Sequence, residues 1–356
     1  MSKTRVAIIC GGRSSEHEIS CISAGGILAG IDRTKYEPIL IGITQQGDWV
    51  LLPNDYALSI SNGALPHVDP SAPAVVADIA GLSSQGKNLD IDIIFPVLHG
   101  PYGEDGTIQG FCEMADIAYV GSGVLASSVA MDKSFAKPIF AAAGIKVAEG
   151  FVVTREEWAK DKSGSAKKIA TLGYPVFVKP ARGGSSRGTH KVHNADELEK
   201  AITDTHTFDR KAIIENAVVG KEIECAVLEF DGAPHASVVG EIKISDSFEF
   251  YDFEAKYLDG ATSIELPASI PAQASKQIQE SAIKAFVALG CAGLARVDFF
   301  YTANGEIIIN ELNTMPGFTP TSVFPKMWAA TGKNYTEIIS ALLASALTRT
   351  NGVLGN

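Results

Sequence analysis

Polar side chains near the carboxyl end of the chain have the spacing of a magnesium site. Arg296 and Asp298 are two residues apart in a predicted strand, 294–301, so they share one face of it. Glu311 and Asn313 are two apart at the end of the predicted partner strand, 306–310. Asp298, Glu311 and Asn313 can therefore converge, and hard oxygen ligands without His or Cys suit Mg²⁺ with water and phosphate in the remaining positions.

The same pattern has a plainer interpretation, which is the solvated polar face of an edge hairpin. Apolar residues flank the polar positions, namely Val297, Phe299 and the run 307–309. These residues indicate that the hairpin belongs to a core, where an accidental cluster of carboxylates would be costly. The pattern therefore favours a metal site over a solvated face.

A glycine-rich loop, 182–188, follows a predicted strand, 175–180, that carries Lys179 near its end. Such a loop exposes backbone N–H groups to phosphates, and a lysine supplies a point charge. The loop is not a P-loop, because the order GxxxxGK[ST] is absent. A tight turn without a ligand explains the loop equally well.

Two further loops allow both a functional and a structural interpretation. The segment 250–257 (YDFEAKY preceded by Phe250) is unusually aromatic, and it suits either a lid that excludes water or a plug packed on the surface. The segment 313–320 (NTMPGFTP) follows the predicted metal face. Its Gly317 allows a backbone N–H close to a substrate, although a Pro-Gly turn leaving a strand is an equally good interpretation.

The elements that position these residues indicate an α/β protein, α+β overall, with three parts. Predicted strands at 5–10, 37–43 and 91–98 alternate with helices, which indicates a parallel sheet. The first strand leads through the segment 11–18, which contains Glu16, into a helix predicted over 19–28, and the start of such a helix favours anions. We expect parts at 1–125, 126–217 and 218–356, a helix over 127–143, and a peripheral insertion over 58–90.

Composition excludes several other classes of protein. The 356 residues are 46% apolar and 20% charged, which is globular composition, and the net charge of −11 disfavours a role in coating nucleic acid or an anionic membrane. Five cysteines without a CxxC pair disfavour a disulfide framework or a zinc site. The longest apolar runs fall short of a membrane span of about 20 residues. We therefore expect a cytoplasmic protein.

Taken in order, segments along nearly the whole chain resemble the ATP-grasp ligases, and within them the D-alanine–D-alanine ligase family. The segments are GGRSSEHEIS, HGPYGEDGTIQG, YVGSGVLASSVAMDK, VKPARGGSSRG, GKEIECAVL, YDFEAKY, GCAGLARVDFF and INELNTMPGFTPTS. The resemblance implies a three-domain ATP-grasp architecture with a Rossmann-like N-terminal domain. It also implies a homodimer that takes ATP and D-alanine as substrates and two Mg²⁺ (or Mn²⁺) ions, and that serves peptidoglycan synthesis. Arg187, Met315 and Pro320 depart from the usual family pattern or lie where it varies.

The resemblance also implies a role for each matched residue. Glu16 and His99 would contact the first D-alanine, Arg296 and the Gly317 N–H would stabilise the developing oxyanion, and Ser322 would take the carboxylate of the second D-alanine. Residues assigned to the nucleotide are Lys133, Lys179, Lys256, Glu215, Val218, Glu222 and Ser185. Ser185 and Tyr257 would also link the closed loop to Glu16. Asp298, Glu311 and Asn313 would hold the metal ions.

Two rival functions stay open. One is a ligase that joins D-alanine to D-lactate or D-serine, although such relatives usually change the tyrosine of the EAKY segment, which is intact here as Tyr257. The other is a non-catalytic ATP-grasp binding protein, which would be expected to have lost its metal ligands. Asp298, Glu311 and Asn313 are all present.

Overall fold

A computed structural model of the chain describes residues 3–60, 63–184, 186–244 and 262–349. Ser185, Lys256 and Tyr257, together with the rest of the predicted lid loop, lie outside the described residues. Among the helices of the described part, none has the length and apolar character needed to cross a membrane.

The N-terminal part is built on a five-stranded sheet in the order β3-β2-β1-β7-β8. Its elements are β1 (Thr4–Gly11), α1 (His17–Gly30), β2 (Tyr36–Ile43), β3 (Trp49–Leu52), β4 (Val75–Asp78), β5 (Gly81–Ser84), β6 (Lys87–Asn88), β7 (Ile93–Pro96), α2 (Thr107–Met114), β8 (Ala118–Tyr119) and α3 (Val124–Met131). β1 is central and pairs in parallel with β2 and β7. The α/β fold class with a parallel N-terminal sheet is thereby confirmed.

The end of β1 requires glycine. Gly11 has φ +86°, and a Cβ there would lie 2.4 Å from the carbonyl oxygen of Ile43 on the neighbouring strand. Only a residue without a side chain fits this conformation and this space. The turn delivers the chain to α1 and places Glu16 immediately before the helix.

The segment 58–90 is more than a peripheral insertion, so that prediction is wrong in part. It contains a small antiparallel sheet, β4-β5-β6. Leu58 and Val68, which precede this sheet, are buried in the same core cluster as β1 and α1. Leu58 lies against α1, since a Cβ added to Gly25 would be 2.9 Å from the Leu58 Cβ.

The central part is a four-stranded antiparallel sheet in the order β11-β10-β12-β9. Its elements are α4 (Lys133–Ala142), β9 (Gly150–Thr154), α5 (Arg155–Lys160), α6 (Lys162–Ala170), β10 (Val176–Pro180), β11 (His190–Val192), α7 (Ala195–Phe208) and β12 (Lys211–Asn216). Alternate residues of β10 are buried against α7, as the period of two in a strand requires.

The single helix predicted over 127–143 is two helices, because the chain turns at Asp132. The Asp132 side chain accepts a hydrogen bond from the Ser134 N–H at 3.1 Å and caps α4. The same carboxylate pairs with Lys211 on β12. The Lys133 N–H donates to the Ala181 carbonyl oxygen at 3.0 Å. The break therefore fixes Lys133 at the start of α4, beside the glycine-rich loop.

The C-terminal part is a five-stranded antiparallel sheet in the order β15-β14-β13-β16-β17. Its elements are β13 (Gly220–Phe230), β14 (Ala233–Ile244), β15 (Thr262–Glu265), α8 (Ala272–Ala288), β16 (Leu294–Thr302), β17 (Ile307–Asn313), α9 (Val323–Thr331) and α10 (Tyr335–Thr348). On β13, Cys225 and Val227 face the core beneath α8, whereas Ala226 and Leu228 face a core shared with β1. The N-terminal and C-terminal sheets thus share one apolar core.

We expect the shared core to contribute strongly to stability through Phe95. This β7 side chain is fully buried, and its ring centroid lies 5.9 Å from that of Phe318, which follows β17. Phe95→Ala should lower the free energy of unfolding by about 3–5 kcal/mol, because the cavity lies between two parts of the fold. Urea unfolding followed by tryptophan fluorescence measures the loss.

A matched control for this substitution is Phe135→Ala, since the Phe135 side chain is 60% exposed on α4. The control should change the free energy of unfolding by less than about 1 kcal/mol. Equal losses of unfolding free energy in Phe95→Ala and Phe135→Ala would contradict a stabilising core shared by the N-terminal and C-terminal parts.

Candidate active site

A cavity of about 630 Å³ lies between the central sheet and the C-terminal sheet. Lysines reach it from different elements: Lys133 and Lys137 lie one turn apart on α4, and Lys179 lies near the end of β10. Val218 and Glu222, which were assigned to the nucleotide from the sequence, also line it. A cavity of this size with converging cations suits an anionic ligand of nucleotide dimensions.

Two of these lysines meet on one buried carboxylate. Glu215 on β12 is only 2% exposed, pairs with Lys137, and lies 2.7 Å from the Lys179 Nζ. Burial opposes the ionised form, but the charges of Lys137 and Lys179 outweigh it and lower the pKa of Glu215 to about 2. Burial in turn lowers the pKa of Lys137, while Glu215 works in the opposite direction. Glu215 and Lys137 thus form a buried ion pair in the wall of the cavity.

The predicted metal ligands come together on the hairpin of β16 and β17. Asp298 is paired with Glu311 and Arg296 with Asn313 in the strand register, with a bulge after Asp298. The Asn313 Nδ2 donates to the Asp298 Oδ2 at 3.2 Å. Two carboxylates and an amide thus share one face, as their spacing predicted.

Each of these carboxylates has a cationic partner. Arg296 donates to Asp298 through Nε at 2.8 Å and through an Nη at 2.7 Å. The Arg296 Nε also lies 3.2 Å from Glu224 on β13. Glu311 lies 3.1 Å from the Lys133 Nζ, which donates in addition to the Gly183 carbonyl oxygen at 2.8 Å. Negative charge on the hairpin is therefore balanced by side chains that also line the lysine cavity.

The donor set fits a hard divalent cation. Asp298, Glu311 and Asn313 offer carboxylate and amide oxygens, the ligands that Mg²⁺ prefers. Among the described residues, no three His, Cys, Asp or Glu side chains form a group that could hold a metal ion by themselves. A cation at this hairpin would therefore need oxygen atoms from water or from a phosphate to complete its coordination.

A second cavity of about 300 Å³ adjoins this hairpin. It is lined by Glu16 and His99 from the N-terminal part and by Arg296, Gly317 and Ser322 from the C-terminal part. Arg296 and Glu311 line both cavities, so the two spaces meet at the hairpin. The structure thus brings together the residues assigned to the nucleotide and those assigned to D-alanine.

His99 is held by the backbone of the loop that follows β17. Its Nδ1 lies 2.9 Å from the Met315 carbonyl oxygen and its Nε2 lies 3.2 Å from the Ser23 Oγ. Burial lowers the pKa of His99, and the charge of Glu16 opposes that change. A neutral His99 that donates from Nδ1 satisfies both contacts.

Glu16 lies at the meeting point of two glycine loops. A Cβ added to Gly100 would be 3.0 Å from the Glu16 Oε2, and one added to Gly184 would be 3.5 Å from it. Gly184 directly precedes Ser185 in the chain. The Glu16 carboxylate therefore borders the loop that carries Ser185, whose own position lies outside the described residues.

The Ser322 side chain is held within the loop that enters α9. Its Oγ accepts from the Thr319 N–H at 3.1 Å and contacts the Thr319 Oγ1 at 2.8 Å. A Cβ on Gly317 would lie 3.3 Å from the same Ser322 Oγ. Glycine at 317 therefore keeps the backbone open on the side of the second cavity. Pro320 packs against α1, where a Cβ on Gly26 would be 2.8 Å from the proline ring.

Charged residues at the site that sequence reasoning missed include Lys137, Glu104 and Glu224. Glu104 accepts from the Gly100 N–H at 2.7 Å and from the Met315 N–H at 3.1 Å, and burial raises its pKa to about 8. Glu104 lies within the segment HGPYGEDG, so an acidic residue among glycines was a usable signal. Lys137 could have been found from its position four residues after Lys133, on the same helix face.

Family models cover most of the chain. The model described as D-ala D-ala ligase N-terminus matches residues 5–122, and that described as D-ala D-ala ligase C-terminus matches residues 139–344. Among curated relatives, a D-alanine–D-alanine ligase of Pseudarthrobacter chlorophenolicus is 50% identical, with 99% of this chain and 96% of the relative covered. One of Arthrobacter sp. (strain FB24) is 49% identical, also with 99% and 96% covered.

Solved structures agree in fold over the whole length. The VanG D-Ala:D-Ser ligase of Enterococcus faecalis has a TM-score of 0.84 and 36% identity, and 97% of this chain and 100% of that chain are covered. The D-alanine–D-alanine ligase of Coxiella burnetii has a TM-score of 0.84 and 33% identity, with 98% and 94% covered. The family models, the curated relatives and the solved structures agree over nearly the whole chain, and the chain belongs to the D-alanine–D-alanine ligase family.

Proposed function

We infer that the protein is an ATP-dependent ligase that joins two D-alanine molecules into D-alanyl-D-alanine, releasing ADP and phosphate, for peptidoglycan precursor synthesis. One observation carries this inference: a cavity lined with lysines and a cavity bordered by Glu16 and His99 meet at Arg296 and Glu311. A phosphoryl donor and an amino acid bound on the two sides would have their reacting groups at that junction.

The reaction follows from the chemistry of the substrates. A carboxylate is a poor acyl donor, so a carboxylate oxygen of the first D-alanine attacks the γ-phosphorus of ATP, giving D-alanyl phosphate and ADP. The amine of the second D-alanine, having lost a proton, attacks the acyl carbon. The C–O bond to phosphate then breaks, and phosphate leaves with the electron pair. Water must be kept from the acyl phosphate until the amine has reacted.

We propose that the second cavity binds the amino acids. Glu16 takes the ammonium group of the first D-alanine, and His99 lies beside it. Arg296 and the Gly317 N–H stabilise the oxyanion that develops as the amine attacks. Ser322 takes the carboxylate of the second D-alanine. The supporting observation is that all five residues line one space.

The larger cavity is proposed to hold ATP. Lys133 and Lys179 contact the phosphates, Glu215 and Val218 border the adenine, and Glu222 contacts the ribose. These residues all line that space. Ser185, Lys256 and Tyr257 lie outside the described residues. Their roles at the phosphates and across the closed loop stay predictions from the sequence.

Asp298, Glu311 and Asn313 are proposed to hold two Mg²⁺ (or Mn²⁺) ions. When bound, such ions offset negative charge on the phosphates of the nucleotide. The proposals also include a homodimer, a cytoplasmic location, and domains at 1–125, 126–217 and 218–356. These rest on the family resemblance.

A D-alanine–D-serine ligase is a second candidate, because a solved structure of that activity is 36% identical to this chain. Product analysis separates the candidates: the protein is supplied with ATP, Mg²⁺ and equal concentrations of D-alanine, D-serine and D-lactate. We expect D-alanyl-D-alanine as the main product and no reaction with L-alanine. D-alanyl-D-serine as the main product would favour the second candidate. Absence of any ATP-dependent product would contradict a ligase.

Replacing a proposed metal ligand should abolish turnover without unfolding the protein. In Glu311→Gln one ligand loses its charge while its shape is kept, so we expect kcat to fall by at least about 100-fold at saturating Mg²⁺. The release of phosphate with D-alanine is the measurement. Glu306→Gln is the matched control on the same hairpin, because Glu306 pairs with Lys146 at the exposed end. More than a tenth of wild-type kcat in Glu311→Gln would exclude the metal role.

Arg296→Lys should reduce the rate more than the affinity for ATP. Lysine keeps the charge beside Asp298 and Glu224 but lacks the planar fork that bonds both carboxylates and an oxyanion together. Loss of an oxyanion donor typically lowers kcat by about 10²–10³. Steady-state kinetics with varied ATP and D-alanine test this. A normal kcat with weakened ATP binding would place Arg296 on the nucleotide.

A further inference from the structure

The Glu215 carboxylate has more positive charge around it than its own neutralisation requires. Lys137 pairs with one of its oxygens and Lys179 with the other. One lysine is enough to balance one buried carboxylate, so the second lysine needs a separate explanation. Both lysines line the larger cavity, in which ATP is proposed to bind, so the explanation concerns ligand binding.

The two lysines differ in the exposure of their side chains and in their other contacts. Lys137 lies on α4 with only 7% of its side chain exposed, against 15% for Lys179. The Lys179 Nζ also lies 3.2 Å from the Asn310 Oδ1, on the hairpin side of the cavity. Lys179 precedes the glycine-rich loop by three residues. Lys179 therefore reaches towards the hairpin and the glycine-rich loop, where phosphates are proposed to bind, whereas Lys137 is the more buried of the two.

If Lys179 turns towards a phosphate, Glu215 loses one of its two cations. Without Lys137, that movement would leave a carboxylate that is 2% exposed without either of its two ion-pair partners. Removing the partner of a buried charge is strongly unfavourable. With Lys137 in place, Glu215 stays paired and Lys179 is free to move.

We propose that Lys137 is a positioning residue that keeps Glu215 paired, so that Lys179 can leave this carboxylate for the phosphates of ATP. The proposal rests on the proposed function, in which Lys179 contacts the nucleotide phosphates. It assigns Lys137 no contact with the reacting atoms. It predicts that Lys137 matters for ligands with phosphates and matters little for the nucleoside alone.

The test compares ADP and adenosine as competitive inhibitors against ATP in wild type and in Lys137→Met. Methionine fills similar space without charge, so Lys179 must remain on Glu215. We expect the affinity for ADP to fall by about 30-fold, because phosphate binding now leaves Glu215 unpaired. The affinity for adenosine should stay within about threefold, since adenosine does not draw Lys179 away. The KM for D-alanine should not change.

Two further variants test whether the loss of ADP affinity is specific to the Lys137–Glu215 pair or comes from a general effect of the substitution on the protein. Lys162→Met removes a lysine from an exposed pair with Glu199 and should leave both inhibition constants unchanged. In the background of Glu215→Gln there is no carboxylate to keep paired. In that background, Lys137→Met should lower the affinity for ADP by less than about threefold. The difference from its effect in the wild-type background measures the coupling between Lys137 and Glu215.

Several results would overturn the proposal. Unchanged affinity for ADP in Lys137→Met, equal losses for ADP and adenosine, or an undiminished loss in the Glu215→Gln background would each do so. Lys179→Met separates this proposal from the proposed function, because that variant should bind ADP weakly whatever Lys137 does. If the Lys179→Met protein binds ADP normally, or the wild-type protein makes no dipeptide, the proposed function is wrong, whatever the result for Lys137.

Discussion

The site depends on one constraint, which is that charges taken out of water must be balanced by other charges close to them. Between the central and C-terminal sheets, four of the carboxylates that line the larger cavity form ion pairs with four of the cations that line it. The carboxylates are those of Glu215, Glu224, Asp298 and Glu311, and the cations are those of Lys133, Lys137, Lys179 and Arg296. Each carboxylate is held by a cation that also lines the cavity. The same lysines line the cavity in which a polyanion is proposed to bind.

The fold supplies these charges from separate parts of the chain, and local features set each position. Asp132 breaks the helix, so that α4 begins at Lys133 and presents Lys137 one turn later. Gly11 lets β1 turn into α1 and leaves Glu16 at the junction. The shared core beneath β1 and β13 then holds the N-terminal and C-terminal walls of the second cavity together. The shape of the second cavity accordingly depends on the packing of this core, whose residues Met315 and Phe324 also line the cavity.

Periodicity was sufficient to predict the hairpin but not the lysine pair. Asp298 and Glu311 were predicted to converge because a strand repeats every two residues, and the register confirms that they are paired. The contact between Lys137 and Glu215 joins α4 to β12, and no local pattern encodes a contact between elements so far apart in sequence. The helix break at Asp132 was missed because 127–143 is apolar enough for one helix, while the cap and the pair with Lys211 are tertiary.

We propose that nucleotide binding exchanges one set of ion pairs for another: phosphates would pair with the lysines, and Mg²⁺ would pair with the carboxylates of the hairpin. A crystal structure with ADP and Mg²⁺ tests this most directly through Lys179, whose Nζ lies 2.7 Å from Glu215. In the complex we expect this distance to exceed about 4 Å, the Lys179 Nζ to lie about 3 Å from a phosphate oxygen, and Lys137 to stay on Glu215. A complex in which Lys179 remains on Glu215 with the phosphates bound would contradict it.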